Sequence, residues 1–438
     1  MTMSNTGPKL WKRAKKVIPG GAQLLSKRAE RFLPDHWPSY YSKAQGAYIW
    51  DLDGTRYLDM SIMGVGACIL GYADPDVNRA VIEAVNRGSM ATLNAPEEVE
   101  LAEVLCRLHP WAQMVRYART GGEAMAIAAR IARAHTGRDV IAFCGYHGWA
   151  DWYLATNLQK KDALAEHLLK GLEPRGVPKG LRGTILPFRY NHIEELEAIV
   201  RKHPRLAAVI MEPVHGEEPK RGFLKSVQAL ARKSGAVFVF DEITMGFRLT
   251  LGGAHLLYGM QPDMAVFAKA MSNGYPMAAI IGRRDVMDAA QQTFISSTYW
   301  TDRIGPVATL ATIAKMKRVK LHRHLARIGE SVKKVWLDAG EKHGIEIHAH
   351  GVAPLLAFAF PGPEPQALKT LFVQEMLDRG ILATDGFYAS GAHTDAHVRT
   401  YGRALDQVFA VLREAIRTKT IRKRLKGPVA MQGFTRLN

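Results

Sequence analysis

The sequence predicts an α/β protein built on a largely parallel sheet, and three observations carry that reading. Short apolar runs of strand length recur between residues 140 and 282, as strands covered on both faces should. A helical stretch, SVQALARKSG, separates two of them in the manner of a strand, crossover helix, strand unit. Two of the runs also end in opposite charges: residues 237–240 deliver Asp241 and Glu242, and residues 264–268 deliver Lys269. Charges at strand ends mark the carboxyl edge of a parallel sheet, where α/β enzymes keep their chemistry.

The 438 residues, 47% of them hydrophobic, suffice for a sizeable core and more than one domain. We expect an N-terminal helix and hairpin segment over 1–70, a large domain over 71–315 and a small α+β domain over 316–438 with a basic tail. Cys68, Cys106 and Cys144 match neither a disulfide scaffold nor a zinc signature, so no metal is expected and a reducing compartment, the cytoplasm, fits. The start of the chain lacks the apolar run of a signal peptide, and no stretch approaches the roughly 20 apolar residues that cross a bilayer. The net charge of +18 concentrates at the two ends of the chain, without interleaved aromatics or a finger signature. That argues against nucleic acid as a partner; attraction of anionic substrates is a milder use of the charge.

In chain order, residues 9–18 read as a short amphipathic helix stopped by Pro19-Gly20-Gly21. GAYIWDLDGTRYLDM, with Asp53-Gly54 at its centre, reads as a hairpin. Asp74-Pro75 opens a helix, and EVELAEVLCRLHP forms another, ended by Pro110. Gly121-Gly122-Glu123 opens the helix AMAIAARIARAHTG, which stops at Gly137. Strands are expected at 140–145, 206–213, 236–242, 264–269 and 278–282. The helical run 308–319 leads to the final domain, where two helices follow the strand-like stretch HGVAPLLAFAFPG. The basic tail from Thr418 either stays flexible or lies across a partner subunit.

The chemistry centres on Lys269. An amine there forms a Schiff base with an aldehyde, and the small, turn-forming residues that follow leave room for a flat cofactor. Asp241 at an equivalent strand end can pair with a protonated ring nitrogen and sustain an electron sink. Together they are the minimum kit of a pyridoxal phosphate enzyme. Glu242 reads as structural. Gly121 and Gly122, at the mouth of a helix, make a phosphate seat of free N–H groups. Neither GxGxxG nor GxxxxGK[ST] is present, against nicotinamide and nucleoside triphosphate. Tyr146 is the favoured ring to lie on the cofactor's face, within the aromatic turn Tyr146-His147-Gly148-Trp149. Glu212 ends another strand, and Ser296-Ser297-Thr298 offers hydroxyls to a phosphate.

In order along the chain, WKRAKKVIPGG, GAYIWDLDGTRYLDM, TGGEAMAIAARIARAHTGR, GYHGWADW, GVPKG, MEPVHGE and FDEITMGFRLTLGGA, with the segment around Lys269, resemble the class III pyridoxal-phosphate aminotransferases. The likeness is nearest to the glutamate-1-semialdehyde 2,1-aminomutase branch and spans roughly residues 11–315. It implies a fold-type I protein: a large domain with a mostly parallel seven-stranded sheet, a smaller C-terminal domain and a homodimer sharing its active sites. It implies Lys269 and Asp241 as catalytic residues, Gly121 and Gly122 as the phosphate seat, Tyr146 as the stacking aromatic, and Thr298 as a phosphate ligand given to the neighbouring subunit; His147 and Glu212 are further cofactor-contact candidates from their places at strand ends. It also implies transfer of an amino group from a small-molecule donor to a carbonyl acceptor through a pyridoxamine form of the cofactor. Departures cluster where the substrate would sit: Lys27 and Arg28 in place of a carboxylate-binding arginine, Asn273 after the lysine, and Trp300 in a bulkier wall; Trp149 is a further substrate-pocket candidate. Gly122 stands where the family more often has Ser or Thr, and the insert after Asp151 lacks the mutase's small-residue gating run. We therefore expect an aminotransferase, with the aminomutase as the alternative and a non-catalytic interaction protein on the same scaffold as a remote one.

Overall fold

A computed structural model describes residues 6–434. They fall into two compact units: the chain up to Asp74 together with the chain from Arg323 on, and Pro75–His322. The N-terminal hairpin and the C-terminal domain, expected separately from the sequence, thus share one unit.

In the first unit, β1 (Tyr41–Gln45), β2 (Tyr48–Asp51) and β3 (Arg56–Met60) form an antiparallel meander. Asp51 Oδ1 accepts from the Asp53 and Thr55 N–H groups at 2.9 and 2.8 Å and so closes the turn between β2 and β3.

The second unit holds β4 (Met114–Ala118), β5 (Ile141–Cys144), β6 (Ile185–Pro187), β7 (Ala208–Met211), β8 (Val237–Asp241), β9 (Met264–Phe267) and β10 (Ala278–Gly282) in one seven-stranded sheet of order β4-β10-β9-β8-β7-β5-β6. From β9 through β6 every pairing is parallel, and β10 runs antiparallel to both its neighbours. Strands β5, β7, β8, β9 and β10 are buried at every position, the physical reason they read as unbroken apolar runs. Two strands of this sheet escaped the sequence reading. β4 is half-buried and carries Arg116, while β6 has three residues and ends in proline. Neither leaves a local signature.

The first unit is completed by β11 (His348–Val352), β12 (Leu355–Ala359), β13 (Ile381–Ala383) and β14 (Gly386–Tyr388). The single strand expected from HGVAPLLAFAFPG is a hairpin, β11 with β12, turned at Ala353-Pro354. Strand β14 adds to it, whereas β13 pairs in parallel with β3. No helix among the described residues is long and apolar enough to cross a membrane.

The basic tail is a strap across its own unit. Ala430 donates to Thr370 Oγ1 at 3.0 Å, and Gln374 binds both Arg424 O and Lys426 N, at 3.0 and 2.7 Å. Its charges meet acids of the same face, Arg422 with Glu364 at 2.5 Å and Lys426 with Asp378 at 2.7 Å. Beyond the helix Pro365–Asp378 the strap reaches the N-terminal segment, where Met431 donates to Glu30 O at 2.7 Å and Arg28 lies over the Phe434 ring. Gln374 is almost wholly buried, so its amide is the strap's interior anchor. Replacing Gln374 with Ala costs two hydrogen bonds of about 1 kcal/mol each and leaves partners unpaired. Tryptic cleavage at Lys419–Lys426 is expected to accelerate about tenfold; an unchanged digestion rate would show the strap is held elsewhere.

Candidate active site

The parallel order β9-β8-β7-β5 sets the carboxyl ends of these strands side by side, and each turns directly into a loop carrying a polar residue. Lys269 follows β9, Asp241 closes β8, Glu212 follows β7, and Tyr146 and His147 follow β5. Because β10 is antiparallel, β4 points the same way as β9 and brings Thr120 and the helix Gly121–Thr136 to that edge.

Asp241 is buried, and its two oxygens are engaged differently. Oδ1 accepts from the Ile243 N–H at 3.0 Å; Oδ2 faces His147 Nδ1 at 2.8 Å. The other ring nitrogen of His147 lies 3.1 Å from Cys144 O. A carbonyl oxygen only accepts, so Nε2 carries a hydrogen, and one further proton lies between Nδ1 and the carboxylate. Burial raises the Asp241 carboxyl above its ordinary range, and the hydrogen bond and charge of His147 oppose that rise. Its neighbour Glu242 has another fate. Its fully buried carboxylate accepts from the Ala254 and His255 N–H groups, both at 2.9 Å, and from His255 Nδ1 at 2.7 Å. His255 Nε2 takes the Trp111 indole proton at 3.0 Å, which fixes that tautomer.

Lys269 is half-buried at a corner, with φ +48, a left-handed backbone that costs a lysine about 1 kcal/mol or more. Its Nζ donates to Thr244 Oγ1 at 3.0 Å. Burial and the nearby Arg248 guanidinium push the amine below its ordinary range, only partly offset by Asp241 and Glu212. An amine so placed loses its proton more readily than a surface lysine and gains nucleophilicity. Asn273, also left-handed with φ +48, is buried where the following turn ends.

Glu212 Oε2 accepts from His215 Nδ1 at 2.5 Å and from Tyr146 N at 3.2 Å. Burial alone would raise this carboxyl, but His215, the His147 ring and the Tyr146 N–H hold it below its ordinary range. At the helix mouth, Thr120 and Glu123 form a reciprocal cap that occupies the Thr120 and Glu123 N–H groups. The Gly121 and Gly122 N–H groups precede any helical acceptor. Both glycines are cradles: a Cβ on Gly121 would meet Ile243 Cδ1 at 2.9 Å, and one on Gly122 would meet Trp149 at 3.0 Å.

The insert after Asp151 is folded down as part of the unit. Leu164 and Val177 sit in its apolar core, and Asn157 ties Leu164 to Leu172. From this insert His167 accepts the Gly145 N–H at 3.3 Å and Tyr153 donates to Gly145 O at 3.0 Å, fixing the turn that presents Tyr146.

The remaining expected residues make contacts of their own. Thr298 begins an exposed 3-10 turn, and Trp300, in the same turn, packs partly into the apolar core. Arg119 Nη2 donates to Trp300 O at 2.9 Å and to Asp302 O at 2.7 Å, while Nε meets Asp302 Oδ2 at 2.8 Å. Arg119 thus bolts this turn beside the phosphate-seat helix; its position directly before Thr120 was its only signal in the sequence. Thr244 and His215 were also missed, although each lies three residues beyond an acid that was singled out. Lys27 and Arg28 belong to the other unit, Lys27 in a 3-10 turn and Arg28 against Gly20 and Phe434. No cluster of three or more His, Cys, Asp or Glu able to hold a metal ion occurs among the described residues.

The two adjacent acids are separable by measurement. Glu242→Ala strands three buried donors and is expected to lose about 3 kcal/mol or more in urea unfolding. Stability equal to the parent would mean that another group satisfies those donors.

A family model for class-III aminotransferases matches residues 34–387. A 3-aminobutyryl-CoA aminotransferase of Cloacimonas acidaminovorans is 34% identical over 76% of this chain and 78% of its own. A glutamate-1-semialdehyde 2,1-aminomutase of Polynucleobacter asymbioticus is 32% identical over 94% of this chain and 100% of its own. Among solved structures, an omega-transaminase from Sphaerobacter thermophilus superposes with a TM-score of 0.83 at 25% identity, covering 94% of this chain and 99% of that one. With the family model spanning most of its length, this chain belongs to the class-III aminotransferases.

Proposed function

We propose that this enzyme moves an amino group between separate small molecules, a donor and a carbonyl acceptor, as a pyridoxal-phosphate aminotransferase acting in the cytoplasm as a homodimer. The family's cofactor fits the residues present: a half-buried amine with a lowered proton affinity, a buried carboxylate at the end of the neighbouring strand, and two glycines whose N–H groups precede any helical acceptor. Bound there, pyridoxal phosphate supplies the electron sink that lets a substrate α-proton leave. Lys269 holds the cofactor and carries the proton to and from the substrate α-carbon. Asp241, oriented by His147, keeps the ring nitrogen protonated. Gly121 and Gly122 seat the phosphate, Tyr146 shields one face, and Thr298 serves a partner copy. Exposed Leu93, Phe294 and Tyr299, all more than 70% accessible, support a surface that a second copy covers.

The observation that supports intermolecular transfer over the intramolecular mutase reaction is the packed insert. The mutase resemblance implies a small-residue gating run here, whereas this segment is core-anchored through Leu164 and Val177 and clamped to Gly145. A second reading, glutamate-1-semialdehyde 2,1-aminomutase, is favoured by the names of the relatives that align over nearly the whole chain.

A half-reaction separates the two. The cofactor-loaded protein is mixed separately with glutamate, alanine, other amino acids and simple amines. Loss of the pyridoxal absorbance with release of a keto product is expected for at least one donor, and Lys269→Ala should abolish turnover. Conversion of glutamate-1-semialdehyde to 5-aminolevulinate with no donor added, and no reaction with any donor, would establish the mutase instead. Asp241→Asn is expected to slow α-proton removal by about a hundredfold or more while cofactor still binds. Parent-like rates in that variant would remove Asp241 from the mechanism.

A further inference from the structure

The loop that follows β5 comes down onto the mouth of the Gly121–Thr136 helix more closely than any side chain at residue 122 would allow. A Cβ on Gly148 would stand 2.9 Å from Gly122 Cα. A Cβ on Gly122 would stand 3.0 Å from both Cδ1 and Nε1 of Trp149. The indole therefore fills the space that a residue 122 side chain would enter, with its N–H edge turned to the helix mouth. The indole is 70% exposed, and its N–H has no acceptor among the described residues. Gly122, which it covers, and the preceding Gly121 carry N–H groups that no helical carbonyl can satisfy, at the positive end of the helix.

We propose that the Trp149 indole N–H is a third donor to the phosphoryl group seated on Gly121 and Gly122. Gly122 and Trp149 then form one device: the glycine has no side chain so that the indole can bring a donor from the neighbouring loop. This moves Trp149 from the substrate wall, where the sequence put it, to the cofactor's anchor. It rests on the reading of Gly121 and Gly122 as the phosphate seat. The phosphoryl group is the cofactor's own, rather than one carried by a substrate.

The test is cofactor binding to the apoenzyme, followed by absorbance, with pyridoxal phosphate and with pyridoxal, which lacks the phosphate. Trp149→Phe keeps an aromatic ring and removes the donor. It is expected to weaken pyridoxal phosphate about tenfold, the size of one hydrogen bond to a charged group, and to leave pyridoxal unchanged. Gly122→Ser alone should also weaken the phosphate form by crowding the indole. Trp149→Ala with Gly122→Ser, where the hydroxyl has both space and reach, should recover most of the affinity. Parent-like affinity for pyridoxal phosphate in Trp149→Phe would overturn the proposal, as would equal weakening toward both ligands, which would make the indole a cover for the ring. If the parent protein itself binds the two ligands equally, the phosphate seat is misplaced, a failure distinct from that of Trp149. Parent-like cofactor binding in Trp149→Phe with a raised KM for a phosphorylated substrate would assign the donor to substrate and likewise overturn it.

Discussion

The site depends on a carboxylate that this protein cannot leave alone. Asp241 ends a strand in which every side chain is buried, and an isolated ionised carboxyl there would cost several kcal/mol. His147 resolves this from the next loop but one, and Cys144 O resolves the orientation of His147 by demanding a hydrogen on Nε2. The proton between Nδ1 and Oδ2 makes the pair electrically balanced, so the buried charge becomes a directional group with capacity left for a further donor. The strand order that puts β8 beside β7 and β5 is what makes the arrangement possible.

Two acids one residue apart illustrate how strand alternation assigns roles. Asp241 turns toward the loop of His147, while Glu242 is drawn into a closed set with His255, Ala254 and Trp111. The first keeps a free lone pair at the sheet edge; the second commits both oxygens to holding the turn from residue 242 to 255. Lys269, one strand over, sits at a left-handed corner that aims Nζ back toward Thr244 in the loop after Asp241. Backbone strain at the lysine and full satisfaction of the second acid are two halves of one positional solution.

Much of this was legible in the chain. Buried parallel strands announce themselves as apolar runs, and the residues ending them, Asp241, Glu212 and Lys269, could be picked out from their places at those ends and the turns that follow. The ordered motifs identified the family, and the sheet followed. What stayed hidden depends on pairings distant in sequence. β4 is half-buried and carries an arginine, β6 is too short for periodicity, and β13 is defined chiefly by its partner β3. Likewise, nothing local shows that Arg119 reaches Asp302, that Trp300 turns partly into the core, or that the tail's charges answer Glu364 and Asp378. Trp149 was noticed, but its contact with Gly122 exists only once two loops meet.

The division of the chain carries a consequence for its synthesis. Pro75–His322 is contiguous, so once that stretch has left the ribosome it holds every strand of its own sheet and can fold. The other unit is discontinuous: β3 emerges early but its parallel partner β13 is made near the end, and the strap that binds Glu30 is made last of all. Leu58, Met60 and their neighbours on β3 therefore wait, without that partner, through most of translation. The nascent N-terminal segment, rather than the catalytic unit, is where a chaperone would find the longest-lived apolar surface.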